Sequence, residues 1–265
     1  MKSVLLVIAL LLPVAAQAQD DGKERDYCPE RPGIGMPACT MAPGRLSVET
    51  ALADWTLEKQ GGDRTDTILF GDTMARFGVT DTVELRLEWT PVGIVRDRSG
   101  GAIERATRVG DVTLGAKVNL AHPDGSKLSF ALQPYVTLPV GRMPVGAGDW
   151  GAGLVAPLTY DLNDSINLEL TPEIDAAVDQ DGHGRHLAYS GVAGINLALS
   201  KQVTLALENQ VIRDDDPAGA TTQDRAGLSL AWKARDDLQF DAGGVAGISG
   251  GAPVAELYIG LSRRF

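Results

Sequence analysis

From Arg45 to Phe265 the chain alternates apolar and polar residues in segments of roughly ten, the two-residue period of a strand. The clearest run, Val83-Glu84-Leu85-Arg86-Leu87-Glu88-Trp89, puts Val, Leu and Trp on one face and Glu and Arg on the other. Residues 111–120, 166–171, 203–208 and 227–233 repeat the pattern, and none of these windows carries a 3.6-residue stripe. The connections come in two alternating kinds. Short polar turns lie at 79–82, 122–125, 162–165, 199–202 and 235–237, rich in Asp, Asn, Gly and Ser, which close hairpins. Longer charged or Gly/Pro-rich connections lie at 59–66, 96–108, 141–149, 179–185, 213–222 and 246–253. Five short and six long connections imply about twelve strands, with the alternation slipping at 46–58 and 67–77.

An even number of strands, with short turns at one end and long loops at the other, predicts an all-β fold. It is an antiparallel transmembrane β-barrel of the bacterial outer membrane, with short periplasmic turns and longer outer loops. Lipid leaves no backbone polar group unpaired, so a spanning sheet must close on itself. Aromatic residues fall in two groups. Phe77, Tyr160, Trp232 and Phe240 lie near the short turns, and Trp55, Trp89, Trp150 and Tyr189 near the long loops, as two interfacial girdles require.

The N-terminus reads as a secretory signal: basic Met1-Lys2, an apolar run Val4–Leu12, and the small-x-small site Ala16-Gln17-Ala18. The run is too short to span a bilayer as a helix. The expected organisation is a cleaved signal at 1–18, a periplasmic N-terminal segment at 19–44, and an outer-membrane barrel at 45–265. Cys28 and Cys39 precede the barrel in a Pro/Gly-rich stretch. In an oxidising compartment they pair most simply with each other, as a structural staple or as part of a periplasmic or lumenal plug.

Composition narrows the function. With 24 Lys+Arg against 35 Asp+Glu the net charge is -11, which argues against a nucleic-acid partner. Three His and two Cys argue against a His/Cys metal site, and no cofactor is implied. Asp179-Gln180-Asp181-Gly182 resembles part of a calcium loop but lacks the distal ligands, so it reads as a solvated loop. His186 and Ser190 lie on one strand face but about 13 Å apart, too far for a nucleophile–base pair, and no catalytic site is expected.

The chain ends on a strand in which Leu257, Ile259 and Leu261 share the face of Phe265. This ending resembles the terminal signal read by outer-membrane barrel-assembly machinery, with Arg263 departing from the usual apolar pattern. That strand, together with Phe77–Leu85, Val109–Lys117, and Pro134–Gly141 with its Gly-rich continuation to Gly153, is similar to the outer-membrane channels named after the Meta-pathway of phenol degradation. The resemblance spans roughly 44–265 and rests on turn and strand signatures. It implies a passive channel or transporter for small solutes, aromatic or hydrophobic ones among them. The alternatives are a non-transport structural barrel and a barrel-embedded enzyme.

If the apolar faces meet lipid, the opposite faces line a lumen. They carry Glu84, Arg86, Glu88, Asp111, Lys117 and Asn119 in the first half of the barrel, and Glu169, Glu173, Glu208, Arg225 and Lys233 in the second. Charges of both signs form either a salt-bridged filling or a selectivity lining. The excess of acid favours cations or neutral solutes over anions.

Overall fold

The computed structural model describes residues 25–265, so the expected signal at 1–18 lies outside the described residues. Among the described residues the secondary structure is all strand. In chain order these are β1 (Leu46–Gln60), β2 (Asp63–Phe70), β3 (Asp72–Gly78), β4 (Val83–Trp89), β5 (Val92–Ser99), β6 (Ala102–Arg108), β7 (Val112–Ala121) and β8 (Leu128–Leu138). Then follow β9 (Gly151–Val155), β10 (Leu158–Asn163), β11 (Ile166–Val178), β12 (Arg185–Ala198), β13 (Val203–Asp214), β14 (Thr221–Arg235), β15 (Leu238–Gly247) and β16 (Ala255–Arg264).

Four pairs of these segments are halves of one long strand, β2/β3, β4/β5, β6/β7 and β9/β10, so sixteen segments make twelve spanning strands. Three of the breaks have a local cause. Gly71 takes a left-handed φ of 66° between β2 and β3. Pro91 and Pro157 interrupt β4/β5 and β9/β10 because proline cannot donate to a ladder. The sheet closes where β1 pairs antiparallel with β16, from Ser47 opposite Arg264 to Leu57 opposite Ala255. This is a closed twelve-stranded antiparallel barrel, the architecture read from the alternation.

The barrel is polar inside and apolar outside. Ser47, Arg76, Glu84, Lys117, Ser129 and Ser262 are fully buried, whereas Leu85, Leu228, Leu257 and Ile259 are more than half exposed. A water-soluble fold has the reverse arrangement. The exposed band meets hydrocarbon, and the barrel spans the outer membrane. Trp232 and Phe240 stack on its outside at 5.8 Å near the short-turn end.

Two of the six long connections differ from expectation. Residues 59–66 and 96–108 are not loops: β1/β2 and β5/β6 run on as hairpins turned by Gly61–Gly62 and Gly100–Gly101. All four glycines have positive φ, the requirement of the tight hairpin turn that matches strand twist. Both faces of these extensions carry charge, which gives them a loop-like composition. At their edge β6 pairs with β5 alone, and β8 stops at Leu138 before the chain returns as β9. The wall is therefore unpaired beside β6. Asp111 accepts hydrogen bonds there from the backbone N–H groups of Gly141 (2.8 Å) and Ala147 (2.7 Å), holding the intervening connection in place.

Candidate functional site in the barrel lumen

The inward faces of β1, β3, β4 and β7 bring five buried charged side chains together. The Arg76 guanidinium donates to Glu49 (2.9 Å) and, through two nitrogens, to Glu84 (3.0 Å each). Arg86 and Lys117 converge on a further carboxylate, Glu30, and each hydrogen-bonds it. Glu30 does not belong to the barrel wall. The N-terminal segment, expected as a periplasmic piece, runs inside the lumen at the short-turn end. There Arg25 donates to the carbonyls of Asp81 and Pro123 (3.1 and 3.3 Å) in two of those turns.

This segment has almost no secondary structure, so its peptide groups need partners from elsewhere. The wall supplies them by charge. Backbone N–H groups of Glu30 and Arg31 donate to Glu49 (2.7 and 3.0 Å), Gly35 to Glu208 (2.6 Å), and Met41 to Glu84 (2.8 Å). Its carbonyls accept in turn: Cys28 from Arg76 (2.9 Å), Pro37 from Lys117 (2.9 Å) and Ala38 from Asn119 (2.8 Å). Arg31 pairs with Asp241 of β15 at 2.8 Å, fastening the far side. A disulfide links Cys28 and Cys39 and closes the segment on itself. Burial alone would raise the Glu30 carboxyl, but Arg86, Lys117 and Arg76 hold it well below the usual carboxylate range.

The plug divides the lumen into two cavities. The outer one, about 340 Å³, is lined by Ile34 and Met36 of the plug and by Met74, Val155, Val192 and Tyr135, with Arg86, Glu88 and Glu173 among its polar groups. The Tyr135 hydroxyl donates to Glu173 at 2.7 Å and also lies against Asp175. The inner cavity, about 290 Å³, lies between the plug (Gly33, Gly35, Pro37) and the wall, with Glu169, Asn196 and Lys233 on the wall side. At Gly35 a Cβ would stand 2.5 Å from Glu169 Oε1, so a larger residue would push this carboxylate aside.

The family described as "Putative MetA-pathway of phenol degradation" matches residues 30–265, the plug and the barrel together. The chain belongs to this family. No curated protein matches it in sequence. Among solved structures, the COG4313 outer membrane channel from Pseudomonas putida F1 superposes with a TM-score of 0.70 at 13% identity, over 91% of this chain and 98% of that one. The translocator domain of the autotransporter NalP from Neisseria meningitidis follows with a TM-score of 0.52 at 16% identity, over 84% and 89%. At these identities the likeness is one of fold.

In this family member the eleven wall residues singled out by alternation go to the plug, to the two cavities, or to contacts within the wall and its connections. Glu84, Arg86, Lys117, Asn119 and Glu208 hold the plug. Glu88 and Glu173 line the outer cavity, and Glu169 and Lys233 the inner one. Arg225 hydrogen-bonds Gln210, and Asp111 anchors the connection after β8. Leu257, Ile259 and Phe265 lie exposed on the outside, and the Phe265 N–H donates to the Leu46 carbonyl at 2.7 Å.

Alternation missed Glu49, Arg76 and Glu30. A bulge at Ala51/Ala53 and the break at Gly71 shift the phase of β1 and β2/β3, which blurs the pattern just where Glu49 and Arg76 sit. Glu30 lies in no periodic element. Outside the lumen, the Asp179–Gly184 loop uses its carboxylates internally: His186 joins Asp179 and Asp214 at 2.9 Å each, and Asp181 accepts from the His183 N–H.

Proposed function

We propose that this barrel is a passive channel for small solutes, aromatic or hydrophobic ones among them, entered from the outer side and closed toward the periplasm by residues 25–44. The outer cavity carries the reading. Its volume of about 340 Å³ suits a single small ligand, and it sets an apolar patch of Ile34, Met36, Met74, Val155 and Val192 against a polar side that carries Arg86, Glu88, Tyr135 and Glu173. The channel name borne by the Pseudomonas putida structure and the family description agree with it. The barrel carries no catalytic role in this reading. Residues 1–18 are removed on export, and the C-terminal strand ending at Phe265 addresses the chain to the assembly machinery.

The test is uptake of a radiolabelled neutral aromatic alcohol by cells producing the wild type, a cavity-filling Val192→Trp variant, or neither. Uptake should be fastest with the wild type and near background with Val192→Trp. Wild-type uptake equal to that of cells lacking the protein would exclude the channel. A filled barrel without transport is the second reading, and the density of plug–wall hydrogen bonds favours it.

A further inference from the structure

The hairpin extensions carry a second feature, on the outside of the barrel. Directly opposed residues on neighbouring strands share a face, so the pairing register sorts the outward side chains of β1, β2, β5 and β6 into rows. Lowest are Phe70 and Val92, then Trp55, Ile68, Ile94 and Thr107. The next row is Leu57, Asp66, Arg96 and Arg105, and the highest Lys59, Arg64, Arg98 and Ile103. Trp55 also pairs with Leu257, which is 57% exposed, and this fixes the face as the lipid side. Successive rows are about 7 Å apart, so apolar rows give way to cationic ones within a short rise above an interfacial Trp.

Five cations stand in these two upper rows against one carboxylate, on a chain of net charge -11. Asp66 is already engaged, by Arg64 through two bonds (2.6 and 2.8 Å) and by the Trp55 indole at 3.1 Å. Among the described residues no ion pair or hydrogen bond holds Arg96, Arg98 or Arg105, and the Nε of Arg98 is buried without a partner. Together with Trp55, Ile68, Phe70 and Ile94 these residues line a groove of about 690 Å³. Three guanidinium groups gathered about a single carboxylate that Arg64 already holds repel one another, and a buried N–H without an acceptor costs free energy.

We propose that this groove binds the phosphorylated glycolipid of the outer leaflet, its sugar phosphates held by Arg96, Arg98 and Arg105 and its acyl chains lying on Phe70, Val92 and Ile94. Guanidinium groups suit phosphate because their paired N–H groups match its oxygens. The apolar rows directly below assign the phosphate to a lipid and not to a soluble anion.

Native mass spectrometry of the refolded full chain in detergent, with purified bisphosphorylated lipid A or its dephosphorylated form, tests this. The wild type should retain the bisphosphorylated form at least about tenfold better, a preference of the size three charge-assisted contacts give. The combined variant Arg96→Gln, Arg98→Gln, Arg105→Gln should lose that preference, while Lys at the same three positions should keep most of it. Heat-modifiable electrophoretic mobility reports folding, and Arg98→Gln alone decides if the triple variant does not fold. Equal binding of both lipids by the wild type, or an undiminished preference in the folded Gln variant, would overturn the proposal. So would displacement of the lipid by millimolar inorganic phosphate, which would assign the groove to soluble anions.

Discussion

At the scale of single residues, Glu30 is where the plug and the wall depend most on each other. Replacing it by Gln leaves Arg86 and Lys117 buried without their carboxylate, and breaking such a pair costs about 3–5 kcal/mol. Chemical unfolding of the refolded barrel should show a loss of this order at neutral pH. The difference between wild type and Glu30→Gln should also depend on pH. The folded state lowers the Glu30 pKa, so the ionised carboxylate stabilises above the ordinary Glu value of about 4.3. That stability is lost as pH falls below it toward the folded-state pKa, and the two proteins should converge in acid. A constant difference between pH 7 and pH 3 would mean that Glu30 acts through shape and not charge. Gly35 makes the complementary case, since Gly35→Ala sets a Cβ against the Glu169 carboxylate, which Asn196 holds at 2.9 Å, so that either the carboxylate leaves Asn196 or the plug shifts. The expected consequence is a displaced plug with the barrel intact, seen as faster protease cleavage of the N-terminal segment with unchanged heat-modifiable mobility.

At the scale of elements, the twelve strands and five short turns were legible because period-two alternation is enforced by lipid on one side and a polar lumen on the other. The Gly61–Gly62 and Gly100–Gly101 hairpins were not, because β1, β2, β5 and β6 rise beyond the apolar band and both their faces become charged. Alternation then carries no hydropathy contrast. For the same reason it named Glu84 and Lys117 but not the segment they hold: residues 28–41 have neither period nor propensity, and their path is set by wall carboxylates and amines. Strand β4 tests the facing. Its Leu85 is 53% exposed, while Glu84 on the other side is fully buried. Leu85→Arg places a charge in hydrocarbon at about 2–4 kcal/mol near the midplane and should lower refolding yield into bilayers. Glu88→Gln, at the outer cavity, should refold normally. The reverse result would mean that the register of β4 is inverted.

At the scale of the whole molecule, the lumen is a polar tube whose charges are arranged around an irregular segment of its own chain. With residues 25–44 in place, Glu49, Glu84 and Glu208 are consumed by plug N–H groups, and Arg86 and Lys117 by Glu30. Deleting 25–44 leaves Arg76, Arg86 and Lys117 facing Glu49, Glu84, Glu88, Glu169, Glu173 and Glu208, an excess of acid along the path. Water then fills the space, and the released carboxylates regain solvation, so the tube should remain folded but open. Planar-bilayer recordings should show small conductance for the full chain and a much larger, cation-preferring conductance for the deletion, since an acidic lining raises the local concentration of cations. Adding Glu49→Gln and Glu208→Gln to the deletion should weaken that preference without closing the pore. If the deletion folds yet conducts no better than the full chain, the barrier lies in the outer loops and the plug is a structural brace.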